Sequence, residues 1–192
     1  MQEKIKKLIK ESIEAKEKLL APEQIAVLEK IGSLFVSAYR SGNKIIAFGN
    51  GGSAGDAQHL VAELVVRFEK NRKALPALAL TTNTSNLTAI GNDFSYEDIF
   101  SRQVEAFAQP GDIIVGISTS GKSSNVLKAL ELARKQKAVT VGFTGGSGGM
   151  MKDNTDACFI APSPVTARIQ ECHILAVHIL CSIVEEKLFA EK

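Results

Sequence analysis

Two hydroxyl-rich glycine segments carry the most chemistry in this chain: Gly49-Asn50-Gly51-Gly52-Ser53 and Ser118-Thr119-Ser120-Gly121-Lys122-Ser123. Each follows an apolar run and opens a helical pattern. That is where a parallel sheet presents backbone N–H groups and a helix N-terminus to an anion. Hydroxyls with a single lysine suit a phosphate that is held and not transferred. In the first segment the glycines permit close backbone approach, and Ser53 can cap the next helix. It is not a dinucleotide fingerprint, because Ser53 and Ala54 break the GxGxxG spacing, and no Gly-Lys-Ser/Thr follows it. In the second, Gly116 to Ser123 matches GxxxxGKS literally. Its first half continues an apolar strand, however, and no strand ends in the Asp of a Walker B site, which counts against a nucleotide hydrolase.

The helix after the first loop carries His59 and Glu63, four apart and therefore on one face, with Asp56 and Arg67 expected on the same face. A histidine and a carboxylate at this spacing can share a divalent metal or a proton. Near the C-terminus a long helical pattern carries Gln170, Glu171, His173 and His178. The two histidines, five apart, lie on different faces, and spacing alone does not choose between them. Gln170 and His178 reach one site only if their side chains lean together. Gly91-Asn92-Asp93 reads as a loop bearing a carboxylate after a helical piece.

These residues need a frame, and the pattern supplies one. Residues 1–42 read as two helices broken at Ala21-Pro22, with Pro22 at a first helical position. Then strands at Lys44–Phe48, Ala77–Leu80, Asp112–Ile117, Val139–Phe143 and Ala157–Ile160 alternate with helices at Ala54–Phe68, 96–108, Ser124–Lys135 and Thr166–Leu188. Gly145–Gly149 reads as a flexible turn. Such alternation gives an α/β fold, a parallel sheet with helices on both faces and ligands at the carboxyl ends of the strands. The 192 residues fit one domain, and the net charge of +2 argues against nucleic acid as the main ligand. Cys158, Cys172 and Cys181 lack metal or disulfide spacing and read as reduced packing residues. No uninterrupted apolar stretch reaches the ~18 residues of a membrane span, and the charged N-terminus lacks a signal-peptide core, so a cytoplasmic location is expected.

Taken together these motifs resemble the sugar isomerase (SIS) domains, and more closely the bacterial phosphoheptose isomerases. The carriers are Asn50–Ser53, Asp56–His59, Glu63, Gly91–Asp93, Asp98–Ser101, Ser118–Ser120 with Ser123, and Arg168–Glu171 with His178. The resemblance covers nearly the whole chain. It implies a doubly wound, five-stranded, flavodoxin-like sheet, with the N-terminal helices used for oligomerisation. It implies isomerisation of sedoheptulose 7-phosphate to D-glycero-D-manno-heptose 7-phosphate through an enediol, for heptose and lipopolysaccharide precursors. His59, Glu63, Gln170 and His178 would hold one zinc per subunit, and Glu63 and His178 would be the acid–base pair. Ser118, Thr119, Ser120 and Ser123 would hold the phosphate. Asn50, Gly51, Gly52, Ser53, Asn92 and Asp93 would line the sugar end, with Glu63 and Gln170 also touching substrate. The family forms homotetramers with sites at subunit interfaces. Lys122, where relatives often have asparagine, and the apolar Leu64-Val65-Val66 depart from the family pattern.

A similar group with this fold consists of non-catalytic tetrameric regulators that bind the replication initiator DnaA, which Met1–Glu3 and Arg67–Leu80 also resemble. That group lacks counterparts of Glu63 and His178, and this chain keeps both.

Overall fold

The computed structural model describes residues 1–190. Five parallel strands, β1 (Ile45–Gly49), β2 (Ala77–Ala79), β3 (Ile113–Ile117), β4 (Val139–Gly145) and β5 (Ala157–Ala161), stand in the order β2-β1-β3-β4-β5. Every residue of β1 and β3 is buried, as strands covered on both faces require. The strand order turns back between β1 and β3, the switch point at which such sheets open a ligand crevice. Gly49 pairs with Ile117, so the two glycine loops leave the sheet side by side.

Among the described residues seven α-helices surround the sheet: α1 (Gln2–Glu17), α2 (Pro22–Arg40), α3 (Gly52–Val65), α4 (Thr84–Asp93), α5 (Ser101–Phe107), α6 (Ser124–Lys135) and α7 (Thr166–Leu188). The expected break after α1 is a 3-10 turn at Lys18–Leu20, with Pro22 opening α2. One apolar cluster joins α2, α3 and α7 to one face through Phe35, Leu60, Leu64, Phe143 and Leu180. The other joins α5 and α6 to the opposite face through Phe48, Phe100, Val104, Val126 and Leu130. By length and composition α7 is apolar enough to cross a membrane. Its packing against α1, α2, α3, β4 and β5 accounts for that apolarity. All three cysteines are free, and burial pushes the thiol of Cys158 up to about 11 and that of Cys181 up to about 12.

Four local expectations change. α3 starts at Gly52 and ends at Val65, short of Phe68, so Arg67 lies beyond it. The 96–108 segment divides into a 3-10 turn (Tyr96–Asp98) and α5, because Ser95 and Ser101 both bond the Asp98 carboxylate and bend the chain there. Gly91-Asn92-Asp93 is not a loop but the last turn of α4, whose N-cap Asn83 accepts from the Asn86 N–H. Finally, Gly145 ends β4, and the glycine turn is tied to the serine loop. The Gly145 N–H donates to the Thr119 carbonyl at 3.1 Å, and the Met150 N–H to the Gly121 carbonyl at 3.0 Å.

His173 is fully buried on α7, its Nε2–H donating to the Thr144 carbonyl at 2.9 Å, among Phe143 and Phe159. Burial pushes its pKa from 6.5 down to about 4, against the opposing effect of the Thr144 bond. The unfolded chain therefore binds the proton more readily, and stability from this residue is complete above pH 6.5 and lost as pH falls toward 4. The loss amounts to roughly 3 kcal/mol. Urea unfolding of the wild type should weaken across this window, and His173→Asn should remove most of that slope. An unchanged slope would assign the acid sensitivity to other groups.

Candidate active site

α3 and α7 run in the same direction on one face of the sheet and meet at three levels. At the start of α3, the Gln170 amide lies against Gly52 so closely that any Cβ there would collide with it. At the middle, His59, Glu63 and His178 converge. His59 Nε2 is 3.1 Å from Glu63 Oε1 and 3.0 Å from His178 Nε2. At the far end, the Phe68 N–H, just beyond α3, donates to Glu185 at 2.9 Å. The Phe68 ring stacks on His178, centroids 5.4 Å apart and planes 24° apart. Of the two histidines that spacing left open, His178 joins the cluster and His173 belongs to the core.

The donor atoms of His59, Glu63 and His178 all lie within 4.8 Å of one another. Two nitrogens bound to one tetrahedral zinc at 2.0–2.1 Å stand roughly 3.3 Å apart. Two imidazoles and one carboxylate are also a recurring catalytic zinc set, with a position left open for water or substrate. The residues present therefore fit a divalent cation. Gln170 stands toward the N-terminal end of the same α3 face. One turn before His59, burial pushes the half-buried Asp56 carboxyl up to about 6, while His59 acts in the opposite direction.

The serine loop is built as an anion cradle. Ser118 Oγ lies 2.9 Å from Ser123 Oγ and 3.4 Å from Ser120 Oγ. Ser123 is the N-cap of α6, yet its side chain caps no N–H of the first turn. Those donors, with the positive end of the helix dipole, remain available to an oxyanion. Gly121 has φ +64°, and its Cα faces the Gly148 carbonyl too closely for a side chain. The chain can therefore turn there without blocking the cradle. Thr119 is half-buried beside these serines.

The first loop opens onto a cavity of about 540 Å³ walled by Asn50, Gly51, Thr81, Tyr96 and Phe100. Asn50 exchanges two hydrogen bonds with buried Asn125, at 2.9 and 3.0 Å, and accepts a third from the Tyr96 hydroxyl at 3.0 Å. Asn125 is in the first turn of α6, so this pair ties the first glycine loop to the serine loop. Ser53 is buried in the first turn of α3. Gly91 reaches the cavity wall, whereas Asn92 and Asp93 are exposed and bond each other at 2.9 Å. Sequence reasoning missed Asn125, Phe68, Arg72 and Glu185. A usable signal existed for Glu185, a carboxylate seven residues after His178 on a largely apolar helix.

Residues 8–145 match the SIS domain family. The chain is 52% identical over 185 residues to the phosphoheptose isomerase of Clostridium acetobutylicum, covering 96% of this chain and 94% of that one. It is 50% identical to the phosphoheptose isomerase of Aquifex aeolicus, covering 97% of both. Its fold is similar to the solved phosphoheptose isomerase of Neisseria gonorrhoeae, with a TM-score of 0.89, 41% identity and coverage of 96% and 98%. A solved relative from Francisella tularensis gives a TM-score of 0.92 at 36% identity, again covering 96% and 98%.

Removing one donor should expose the cation site. In zinc titrations of chelator-stripped protein, His178→Gln should weaken affinity by more than the ~10–100-fold of an outer-shell change. His173→Gln should leave affinity near wild type, and equal losses in both would contradict the assignment of His178.

Proposed function

This chain belongs to the SIS-domain family, and we propose that it is a phosphoheptose isomerase converting sedoheptulose 7-phosphate to D-glycero-D-manno-heptose 7-phosphate. The observation that carries the reading is the meeting of His59 and Glu63 of α3 with His178 of α7, beside a serine-lined anion cradle. His59 lies seven residues past Gly52, about 10 Å along the axis of α3.

Ser118, Thr119, Ser120 and Ser123 hold the phosphate, with Lys122 adding charge at the rim. Phosphate binding energy orients the reacting end, which otherwise has few handles. Asn50, Gly51, Gly52, Ser53 and Gln170 line the sugar, with Asn92 and Asp93 at its margin. Glu63 takes the proton from C1 of the ketose while the C2 oxygen gains one, giving the enediol. Glu63 then returns a proton to C2 as the C1 oxygen gives one up, leaving the aldose. His178 moves the protons on the oxygens. His59, Glu63, Gln170 and His178 would hold zinc, one per subunit. When bound, zinc supplies a Lewis acid for charge developing on the substrate oxygens.

The protein assembles as a homotetramer with sites at subunit interfaces. Supporting this, α1 leaves Ile5, Leu8, Ile9 and Ile13 at 51, 43, 54 and 50% exposure along one stripe. Such a contiguous apolar face is a mark of association. A regulator that never forms an enediol has no use for Glu63 and His178 gathered around His59.

Purified protein supplied with zinc should isomerise sedoheptulose 7-phosphate, and chelation should abolish turnover. Glu63→Gln should lower kcat by roughly 10²–10⁴-fold. Its oligomeric state and its affinity for a non-reacting heptitol phosphate should remain. Absence of wild-type turnover with zinc present would overturn the reading, and an active Glu63→Gln would remove Glu63 as the base.

A further inference from the structure

We propose that the buried Arg72–Glu185 ion pair is a positioning device that holds Glu63 and His178 in their working register. The inference rests on the reading above that these two residues act together. Arg72 Nε donates to Glu185 Oε1 at 2.8 Å, and their side chains are 1% and 2% exposed. Such a pair pays a desolvation cost, and an apolar pair of similar volume would often be as stable. What distinguishes this pair is the rest of its bonding.

Arg72 donates through Nη2 to the backbone carbonyl of Glu63 at 2.8 Å, and through Nη1 to that of Leu64 at 2.8 Å. These are carbonyls that the end of α3 leaves without helical partners. Glu185 in turn accepts from the N–H groups of Phe68, Glu69 and Lys70 at 2.9, 2.8 and 2.8 Å. Burial works to raise the Glu185 pKa, but these N–H groups and Arg72 together hold it below the usual range. Phe68 then places its ring on His178. Glu185 lies seven residues beyond His178, within about 20° of it around α7. One ion pair thus grips the backbone of Glu63, the residue that flanks His178 and the helix that bears His178. Neither Arg72 nor Glu185 belongs to the His59–Glu63–His178 cluster, so both act through other residues.

Arg72→Lys keeps a cation for Glu185 and leaves the three capped N–H groups satisfied, but it loses the guanidinium fork on Glu63 and Leu64. Glu185→Gln keeps the volume and removes the charge. Three quantities are measured for each: zinc affinity of the chelator-stripped protein, kcat and KM on sedoheptulose 7-phosphate, and thermal midpoint. We expect zinc affinity to fall about tenfold, as for outer-shell changes at metal sites, with kcat down by about tenfold or more and KM within about threefold. A lower thermal midpoint with zinc affinity and kcat at wild-type values would make the pair purely structural and overturn the proposal, as would failure of both variants to fold. If the wild type binds zinc but does not isomerise this substrate, the isomerase reading fails alone. The zinc titration then still decides the positioning role.

Discussion

The parallel register of α3 and α7 is the constraint on which the site depends. Apolar packing of Leu60 and Leu64 with Leu180 and Val184 in a common cluster supplies most of the attraction between these helices and the sheet. That attraction is non-directional and does not by itself fix how far one helix sits along the other. Directional contacts do so at the far end, where Glu185 bonds Arg72 and three N–H donors, while at the start the Gln170 amide packs against Gly52. Between those two points the imidazoles of His59 and His178 are brought to 3.0 Å. A shift of one helix by a single residue, about 1.5 Å, would disperse the donor set.

A second constraint joins this helix pair to the anion cradle. β1 and β3 are neighbours that end level with each other, and their loops open α3 and α6 respectively. The reciprocal bonds of Asn50 and Asn125 cross from one loop to the first turn of the other helix. Because both asparagines spend their amide groups on each other, neither loop can rotate without leaving polar atoms unpaired. The rigid part of the site is therefore the sheet edge, from which α3 carries His59 and Glu63 to the cluster.

Much of this was legible in the sequence, for identifiable reasons. The bounds of α6 and α7 agree with their periodicity because Ser123 and Gln136 flank an amphipathic run and because α7 is packed along its full length. The glycine loops were legible because few other compositions permit such turns at strand ends. The end of α3 was not. Leu64-Val65-Val66 continues the apolar pattern, and the helix stops where Arg72 takes the Glu63 and Leu64 carbonyls. That is a contact from a residue beyond the helix, made possible only by Glu185 far along the chain. The same holds for Asn92 and Asp93. A Gly-Asn-Asp string is turn chemistry locally, and the helix opened by Asn83 overrides it.

The two histidines of α7 show why residue type and helical spacing stop short of assigning a role. Five residues set them about 140° apart around the helix. His173 faces β4 and the rings of Phe143 and Phe159, where a charge has no partner, and its one bond, to the Thr144 carbonyl, is donated by Nε2–H. His178 faces α3, half-buried, with a nitrogen toward His59 and a flank against Phe68. An imidazole that is to move protons needs both an acceptor within reach and tolerance of its charged form. The sheet side of α7 offers His173 only the Thr144 carbonyl in an apolar surround, while the α3 side sets His178 beside a carboxylate and a second imidazole. The division of labour between two identical side chains is thus made by the faces they turn to, and those faces are decided by how α7 lies across the sheet.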